Sequence, residues 1–435
     1  MKLSQFNTYL NYEDKIITYN AFSNEFIVLE PLLYDLLSAA ENEDNVEDLK
    51  DIHPDFYNAL SQNQFIVDSK INEIEKVKNL SKLVDSNDSH YLLIINPTMN
   101  CNFKCWYCYE SHIKGSRMGE HTKESLQRLI QKIISDNRIK SFSISWFGGE
   151  PLLYYEDVIK PISEYTLELC KEYNVTLNSD YTTNGFLIDV ERAKMFKRWS
   201  TSQIQITLDG NREKHNSVRY VSASRGSYDQ IMDNIGTLTK EGVKVRLRIN
   251  YTEETLQGIR DIVKELNSFS IRQKRYIEIA FHQVWQDKTD LTSQTNEIIG
   301  DFRRQGLYVT THDNPDNVRN SCYADTRNHA TINYNGEVFK CTARDFNSKN
   351  KEGDLTVEGD IVWNEKYERR MNAKFKNNPC LECKILPICN GGCSQHAVEN
   401  EGVDYCVYGF DEKKKEQAVL NKFLQTIENR TIVNV

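Results

Sequence analysis

The chain has 435 residues, 39% of them hydrophobic and 27% charged, the balance of a globular protein rather than a disordered one. No apolar run approaches the ~18 residues of a membrane span. A net charge of −9 argues against a general nucleic-acid binder, which needs a basic footprint.

The first 90 residues hold 17 Asp and Glu against 7 Lys and Arg, so the acidic excess sits there. Such a segment attracts a basic partner, for example a Lys-rich peptide. A solvated acidic face is the alternative. Residues 1–7 lack the apolar core of a signal peptide. The eleven cysteines are an odd number, which argues against a disulfide framework. A cytoplasmic protein is expected, with no membrane and no nucleic-acid partner.

In chain order, residues 15–20 and 25–29 read as strands around the turn-forming Ser23 and Asn24. Pro31 sits where a helix begins, with Leu32, Leu33, Leu36 and Leu37 at helical spacing. A helical stretch over 46–60 precedes a strand at 65–67. This order predicts a small winged-helix-like module over 1–70 and a charged helical linker over 71–89. From residue 90 strands alternate with helices, which predicts an α/β domain on a parallel sheet. The expected strands are 91–96, 141–147, 176–182, 203–208, 244–250 and 276–281. Behind Thr122 as N-cap, Leu126, Leu129, Ile130, Ile133 and Ile134 form a stripe of period 3.6. Six such units make a partial (β/α)6 barrel over 90–310, with its chemistry at the C-terminal strand ends. Alternation stops near 320. Asn335-Gly336, between 330–334 and 337–340, is a strong hairpin signal. A Cys-dense, loop-rich stretch runs to Cys406 with little continuous core, so metal would have to organise it. A helix over 411–435 carries Val419, Leu420, Phe423, Leu424 and Ile427.

Ten of the eleven cysteines fall in two groups. The first is Cys101-Asn-Phe-Lys-Cys105-Trp-Tyr-Cys108, a C-x3-C-x2-C loop directly after the first expected strand. A cubane cluster normally takes four thiolates. Three leave one iron free for a small chelate, such as the amino and carboxylate groups of a methionine moiety. A three-Cys zinc site is the alternative. The loop resembles the cluster motif of the radical S-adenosylmethionine (SAM) enzymes, whose fold is a partial (β/α)6 barrel. Gly148-Gly149-Glu150-Pro151 resembles that family's motif for the SAM amino group. Glycines permit close backbone approach, and a carboxylate pairs with an ammonium. The resemblance further implies that Tyr107 packs near adenine. It implies SAM and substrate contacts from Thr182-Thr183-Asn184-Gly185 and Leu208-Asp209-Gly210, at the ends of strands three and four. Arg219 and Arg248 are candidate carboxylate partners. An Asn-Gly or Asp-Gly after a strand is otherwise simply a turn.

The second group is Cys322-x13-Gly336-x4-Cys341, then Cys380-x2-Cys383-x5-Cys389-x3-Cys393, then Cys406. It resembles the SPASM domain, here 311–410, a radical SAM extension with two auxiliary [4Fe–4S] clusters. The resemblance implies Cys380, Cys383, Cys389 and Cys406 on auxiliary cluster II, and Cys322, Cys341 and Cys393 on auxiliary cluster I. No eighth cysteine stands between Cys170 and Cys322. Auxiliary cluster I is therefore left with an open iron or a non-Cys ligand. Zinc is the alternative for the C-x2-C part. Cys170 reads as a small buried hydrophobe.

The resemblances imply three [4Fe–4S] clusters, SAM, and an external reductant such as flavodoxin or ferredoxin. The expected function is a radical SAM/SPASM maturase of a ribosomally made precursor peptide. Its N-terminal module would bind the leader and raise the local concentration of the core peptide. The expected product is a cross-link. A thioether is favoured because an open iron offers a site to a peptide thiolate, and a carbon–carbon or carbon–oxygen link is the competitor. One rival is a sulfatase-maturase-like oxidation of Ser or Cys. In those enzymes an Asp base follows the second SPASM cysteine. Here Thr342 follows Cys341, and Asp345, three residues further on, is the candidate base. The other rival is a non-catalytic iron–sulfur electron carrier.

Overall fold

The computed structural model describes residues 1–222, 224–310 and 315–433, with side chains as far as residue 427. The expected start of the third domain at 311, and residues 434–435 of the expected last helix, lie outside these. The chain forms two compact units. One comprises Met1–Asn87, His312–Arg327 and Glu368–Val435; the other comprises Asp88–Thr311 and Asn328–Tyr367.

The second unit is built on an eleven-stranded sheet. Its six central strands are His90–Ile95, Ser141–Trp146, Thr176–Thr183, Thr201–Leu208, Val245–Tyr251 and Ile277–Gln283, all parallel. These are the six strands expected from sequence, with ends moved by one or two residues. Tyr308–Thr310 extends the parallel sheet beyond the sixth strand, and His329–Ile332 beyond the first. The Asn335-Gly336 turn links His329–Ile332 to the antiparallel Glu337–Phe339, followed by Gly353–Leu355 and Ile361–Trp363.

A parallel sheet covered on both faces reads as a continuous apolar run. Here Thr201–Leu208 and Val245–Tyr251 alternate instead. Ile204, Ile206 and Leu208, then Val245, Leu247 and Ile249, are buried in the main core. Gln205, Thr207, Arg246, Arg248 and Asn250 therefore point to the opposite face, because side chains alternate along a strand. That face is polar, which suits a binding cavity. The helix Glu120–Ile134 buries Leu126, Leu129, Ile130 and Ile134 as the stripe predicts. It begins before the expected N-cap: Gly119 holds that position and Thr122 lies inside the first turn.

The first unit carries a three-stranded antiparallel sheet of Asn7–Tyr12, Lys15–Asn20 and Glu25–Leu29. Lys2–Leu3 pairs with Ile66–Val67. The strands at 2–3 and 7–12 escape sequence reading because one is too short and the other is rich in Asn and Tyr. The helical stretch expected over 46–60 is broken. Pro54 starts a new helix, Pro54–Gln62, and the preceding His53 leaves helical geometry at φ −145° and ψ 78°. The expected linker is the helix Glu73–Asp85, whose Val77 is fully buried. The Cys-dense stretch has more core than expected. Ile385, Leu386 and Ile388 pack in one cluster with Phe6, Tyr19, Val77, Val318 and Val419. Among the described residues, no helix is long and apolar enough to cross a membrane.

Candidate active site

The loop Cys101–Cys108 leaves the C-terminal end of the first parallel strand, and two neighbouring turns hold it. Gly148 and Gly149 follow the second strand at φ +77° and +45°, which side chains rarely adopt. A Cβ on Gly149 would stand 2.2 Å from the Asn100 carbonyl oxygen. The Glu150 N–H donates to that oxygen at 2.9 Å. The glycines thus let one turn lie against the residue preceding Cys101. From the third strand, the Asn184 side chain donates to Asn102 Oδ1 at 2.7 Å.

Glu150 is fully buried and works inside this frame. Its Oε1 accepts from Leu152 N–H at 3.0 Å and from Thr183 Oγ1 at 2.7 Å, and its Oε2 accepts from Asn184 N–H at 2.8 Å. Burial raises its pKa against these donors. Pro151 opens the following turn. The carboxylate thus ties the second strand end to the Thr183-Asn184 loop.

Tyr107, Asp209 and Arg219 form one network. The Tyr107 hydroxyl donates to Asp209 Oδ1 at 2.6 Å and accepts from Arg219 at 2.7 Å and from Asn250 Nδ2 at 3.1 Å. Arg219 Nε donates to the second Asp209 oxygen. Burial opposes the guanidinium charge, but Asp209 and Tyr107 hold its pKa well above the usual arginine value. His215 supports the backbone: Asp209 N–H donates to its Nδ1 at 3.3 Å, and its Nε2 meets Ser227 Oγ at 3.0 Å. Burial pushes His215 down to about 3, so the ring is neutral.

A cavity of about 160 Å³ opens at the strand ends, lined by Tyr107, Cys108, Glu110, Arg219, Arg248 and Asn250 among others. Tyr109 and Trp285, stacked at 5.7 Å, also line it. Arg248 donates through Nε to Asn250 Oδ1 at 2.9 Å. Among the described residues it forms no ion pair, and burial lowers its pKa. Its fork is thus available to an acid, whereas Arg219 is committed to Asp209. Glu110, which sequence reading missed, accepts from Gly149 N–H at 2.7 Å, and burial raises its carboxyl to about 7. Its place two residues after Cys108 is the one signal that could have found it; Asn250 and His215 gave none.

Asp345 accepts from Ser111 N–H at 2.8 Å and Ser111 Oγ at 2.7 Å. Burial pushes its pKa up, but these bonds outweigh it and leave the pKa low. Tyr109 donates to the Thr342 carbonyl at 2.7 Å. The segment after Cys341 is thereby fastened to the segment after Cys108.

Burial pushes the Cys101 thiol up to about 12 and Cys108 to about 11, and raises Cys105. A bound cation would reverse this, since a coordinating thiol is deprotonated. In the first unit, Cys380, Cys383, Cys389 and Cys406 line one cavity of about 40 Å³. Burial raises Cys389 to about 12, helped by the other three. Among the described residues, no three Cys, His, Asp or Glu side chains are grouped to hold a metal ion. A cubane makes a different demand, since each of its thiolates binds a separate iron. Four thiols around one cavity fit that donor set. Cys322 and Cys393 are exposed in the first unit; Cys341, half-buried, belongs to the second. Cys170 is buried in the helix Lys160–Glu172.

Residues 95–266 match the family model described as Radical SAM superfamily. They form a radical SAM domain. The chain resembles radical SAM enzymes that mature ribosomal peptides. It is 23% identical to the radical SAM cyclopropyl synthase TigE of Paramaledivibacter caminithermalis, over 82% of this chain and 80% of that protein. It is also 23% identical to a serine-type anaerobic sulfatase-maturating enzyme of Bacteroides thetaiotaomicron, over 71% of this chain and 85% of that one. Among solved structures, Streptococcus suis SuiB bound to S-adenosylmethionine shares the fold at a TM-score of 0.55 and 20% identity. That match covers 94% of this chain and all of SuiB. SuiB has also been solved with its precursor peptide SuiA.

Proposed function

We propose that this chain is a radical SAM/SPASM enzyme that cross-links a ribosomally made precursor peptide. One observation carries the reading. Cys108 of the C-x3-C-x2-C loop lines a cavity at the C-terminal ends of parallel strands together with Tyr107 and Arg219, which share Asp209, and Glu110 on the same wall accepts from Gly149 N–H of the glycine turn. Cys101, Cys105 and Cys108 would hold a [4Fe–4S] cluster, and the neighbouring turns would receive SAM. When bound, reduced cluster and SAM supply a carbon radical able to take hydrogen from an unactivated C–H bond.

The chain's own residues orient and enclose that chemistry. Glu150 fixes the loop that faces the cysteines. Asp209 and Arg219 clamp the Tyr107 ring, and Arg248 offers a guanidinium fork to a carboxylate. Tyr109 and Trp285 give the cavity mouth an aromatic wall. Likeness to TigE, and the fold shared with SuiB, support a peptide substrate. The acidic segment 1–90 would take a basic leader. The free thiols among the described residues suit a reducing, cytoplasmic setting, with flavodoxin or ferredoxin as electron donor. Two auxiliary clusters would occupy the SPASM cysteines, and a thioether is the favoured bond.

The likeness to a sulfatase-maturating enzyme favours a second reading, oxidation of Ser or Cys in a protein. The sequence after Cys341 weighs against it, since Thr342 rather than an Asp follows that cysteine and Asp345 lies three residues further on, bonded to Ser111. The deciding experiment incubates reduced, anaerobically reconstituted protein with SAM. Formation of 5′-deoxyadenosine, abolished by replacing Cys101, Cys105 and Cys108 with Ala, is expected. Intact clusters without turnover would favour an electron carrier. Mass spectrometry of the co-expressed peptide then reads the bond: a thioether removes two hydrogens and one alkylatable thiol.

A further inference from the structure

Asn377 stands between two of the thiol-bearing segments of the first unit. Its Nδ2 donates to the Cys380 sulfur at 3.0 Å and to the Tyr405 carbonyl at 2.6 Å. Its Oδ1 accepts from Tyr405 N–H at 3.4 Å. Tyr405 directly precedes Cys406. One buried amide therefore bonds a thiol and clamps the backbone that presents a second.

Lys415 lines the same cavity as the four thiols and is the one cation among its described lining residues. Its side chain is largely buried, and its Nζ pairs at 2.6 Å with Glu412, which is mostly exposed. The Lys415 ammonium, paired with Glu412, thus sits on the wall of the cavity that the four thiols share.

Reduction adds one negative charge to an iron–sulfur cluster. Hydrogen bonds to its sulfurs and nearby positive charge stabilise the reduced state and raise the potential. Exclusion of water strengthens both effects.

We propose that Asn377 and Lys415 set the reduction potential of a cluster held by Cys380, Cys383, Cys389 and Cys406, so that it accepts an electron more readily. The proposal rests on the auxiliary-cluster reading above. Lys415 acts through charge alone, and Asn377 both positions Cys406 and donates to Cys380.

The test uses full-length, anaerobically reconstituted protein in which Cys101, Cys105 and Cys108 are Ala, to remove the first cluster's signal. K415M keeps the length of the side chain without its charge, and N377D replaces the donor with an acceptor. Iron and sulfide per chain are counted first, and a redox titration followed by electron paramagnetic resonance gives the midpoints. K415M should retain its iron and lower one midpoint by an amount equivalent to about tenfold in the reduction equilibrium, about 59 mV for one electron. K415R should restore it. N377D should lower the same midpoint further or shed that cluster's iron. An unchanged midpoint in iron-replete K415M overturns the proposal. A parent protein whose iron count lacks this cluster overturns the auxiliary-cluster reading, and the proposal with it.

Discussion

At the scale of single residues, Glu150 organises more than any other side chain of the site. Removing its carboxylate in E150A strands three donors that it now satisfies: Leu152 N–H, Thr183 hydroxyl and Asn184 N–H. Each orphaned buried donor costs about 1–3 kcal/mol. E150A should therefore melt well below the parent in a thermal scan and lose SAM binding with it. R248Q should behave differently. Arg248 supports no ion pair within the described fold, so the melting temperature should hold. Affinity for a carboxylate-bearing ligand should fall about 10–100-fold, the worth of a charge-assisted bond. Calorimetry with S-adenosylhomocysteine measures it, and 5′-methylthioadenosine, lacking the carboxylate, serves as control. His215 makes a pH prediction. Its folded pKa of about 3 lies below the usual histidine value near 6.5, so the unfolded chain binds the extra proton between them. Its stabilising effect is complete above about pH 6.5 and is lost as pH falls toward 3. H215N should flatten that limb of the melting-temperature profile; an equally steep limb would refute the assignment.

At the scale of elements, the glycine turn after the second strand and the cysteine loop after the first are a matched pair. G149A places a methyl against the Asn100 carbonyl at φ +45°. It should push that loop away and reduce iron retained by Cys101–Cys108, read as iron per chain, while leaving the Cys380–Cys406 iron in place. The strands of this unit were legible in the sequence because short runs rich in apolar and β-branched residues recur between helical stretches, and in Thr201–Leu208 and Val245–Tyr251 apolar and polar residues alternate. The cysteine spacings and the Asn335-Gly336 turn were legible because turn and ligand chemistry is local. The partners were not. Nothing near Asp345 announces Ser111, more than two hundred residues earlier, and nothing in Tyr107 announces Asp209. The N-terminal strand Asn7–Tyr12 was hidden by its own polarity. The break at Pro54 was readable from the rule for residues preceding proline.

At the scale of the whole molecule, iron counts the sites. The proposed three cubanes predict about twelve iron atoms per chain. The triple Cys101/Cys105/Cys108 variant should lose about a third of them and all SAM cleavage. The excess acid of residues 1–90 predicts that a Lys-rich leader peptide binds the full chain less tightly as ionic strength rises. Fluorescence anisotropy across a salt series reads the slope, and a flat response would remove the electrostatic role. That experiment needs the full chain, because the first unit is discontinuous. Phe6, Tyr19 and Val77 share their core with Ile385, Leu386, Ile388 and Val419. A ribosome releases these two halves far apart in time. Glu368 follows Asn87 by about 280 residues, and at ~5–20 residues per second the wait is some tens of seconds. Throughout it, the nascent N-terminal segment exposes an apolar face that its own sequence cannot cover. That segment is therefore a client for chaperones during synthesis. Loss of the last helix should show itself first as proteolysis near the beginning of the chain.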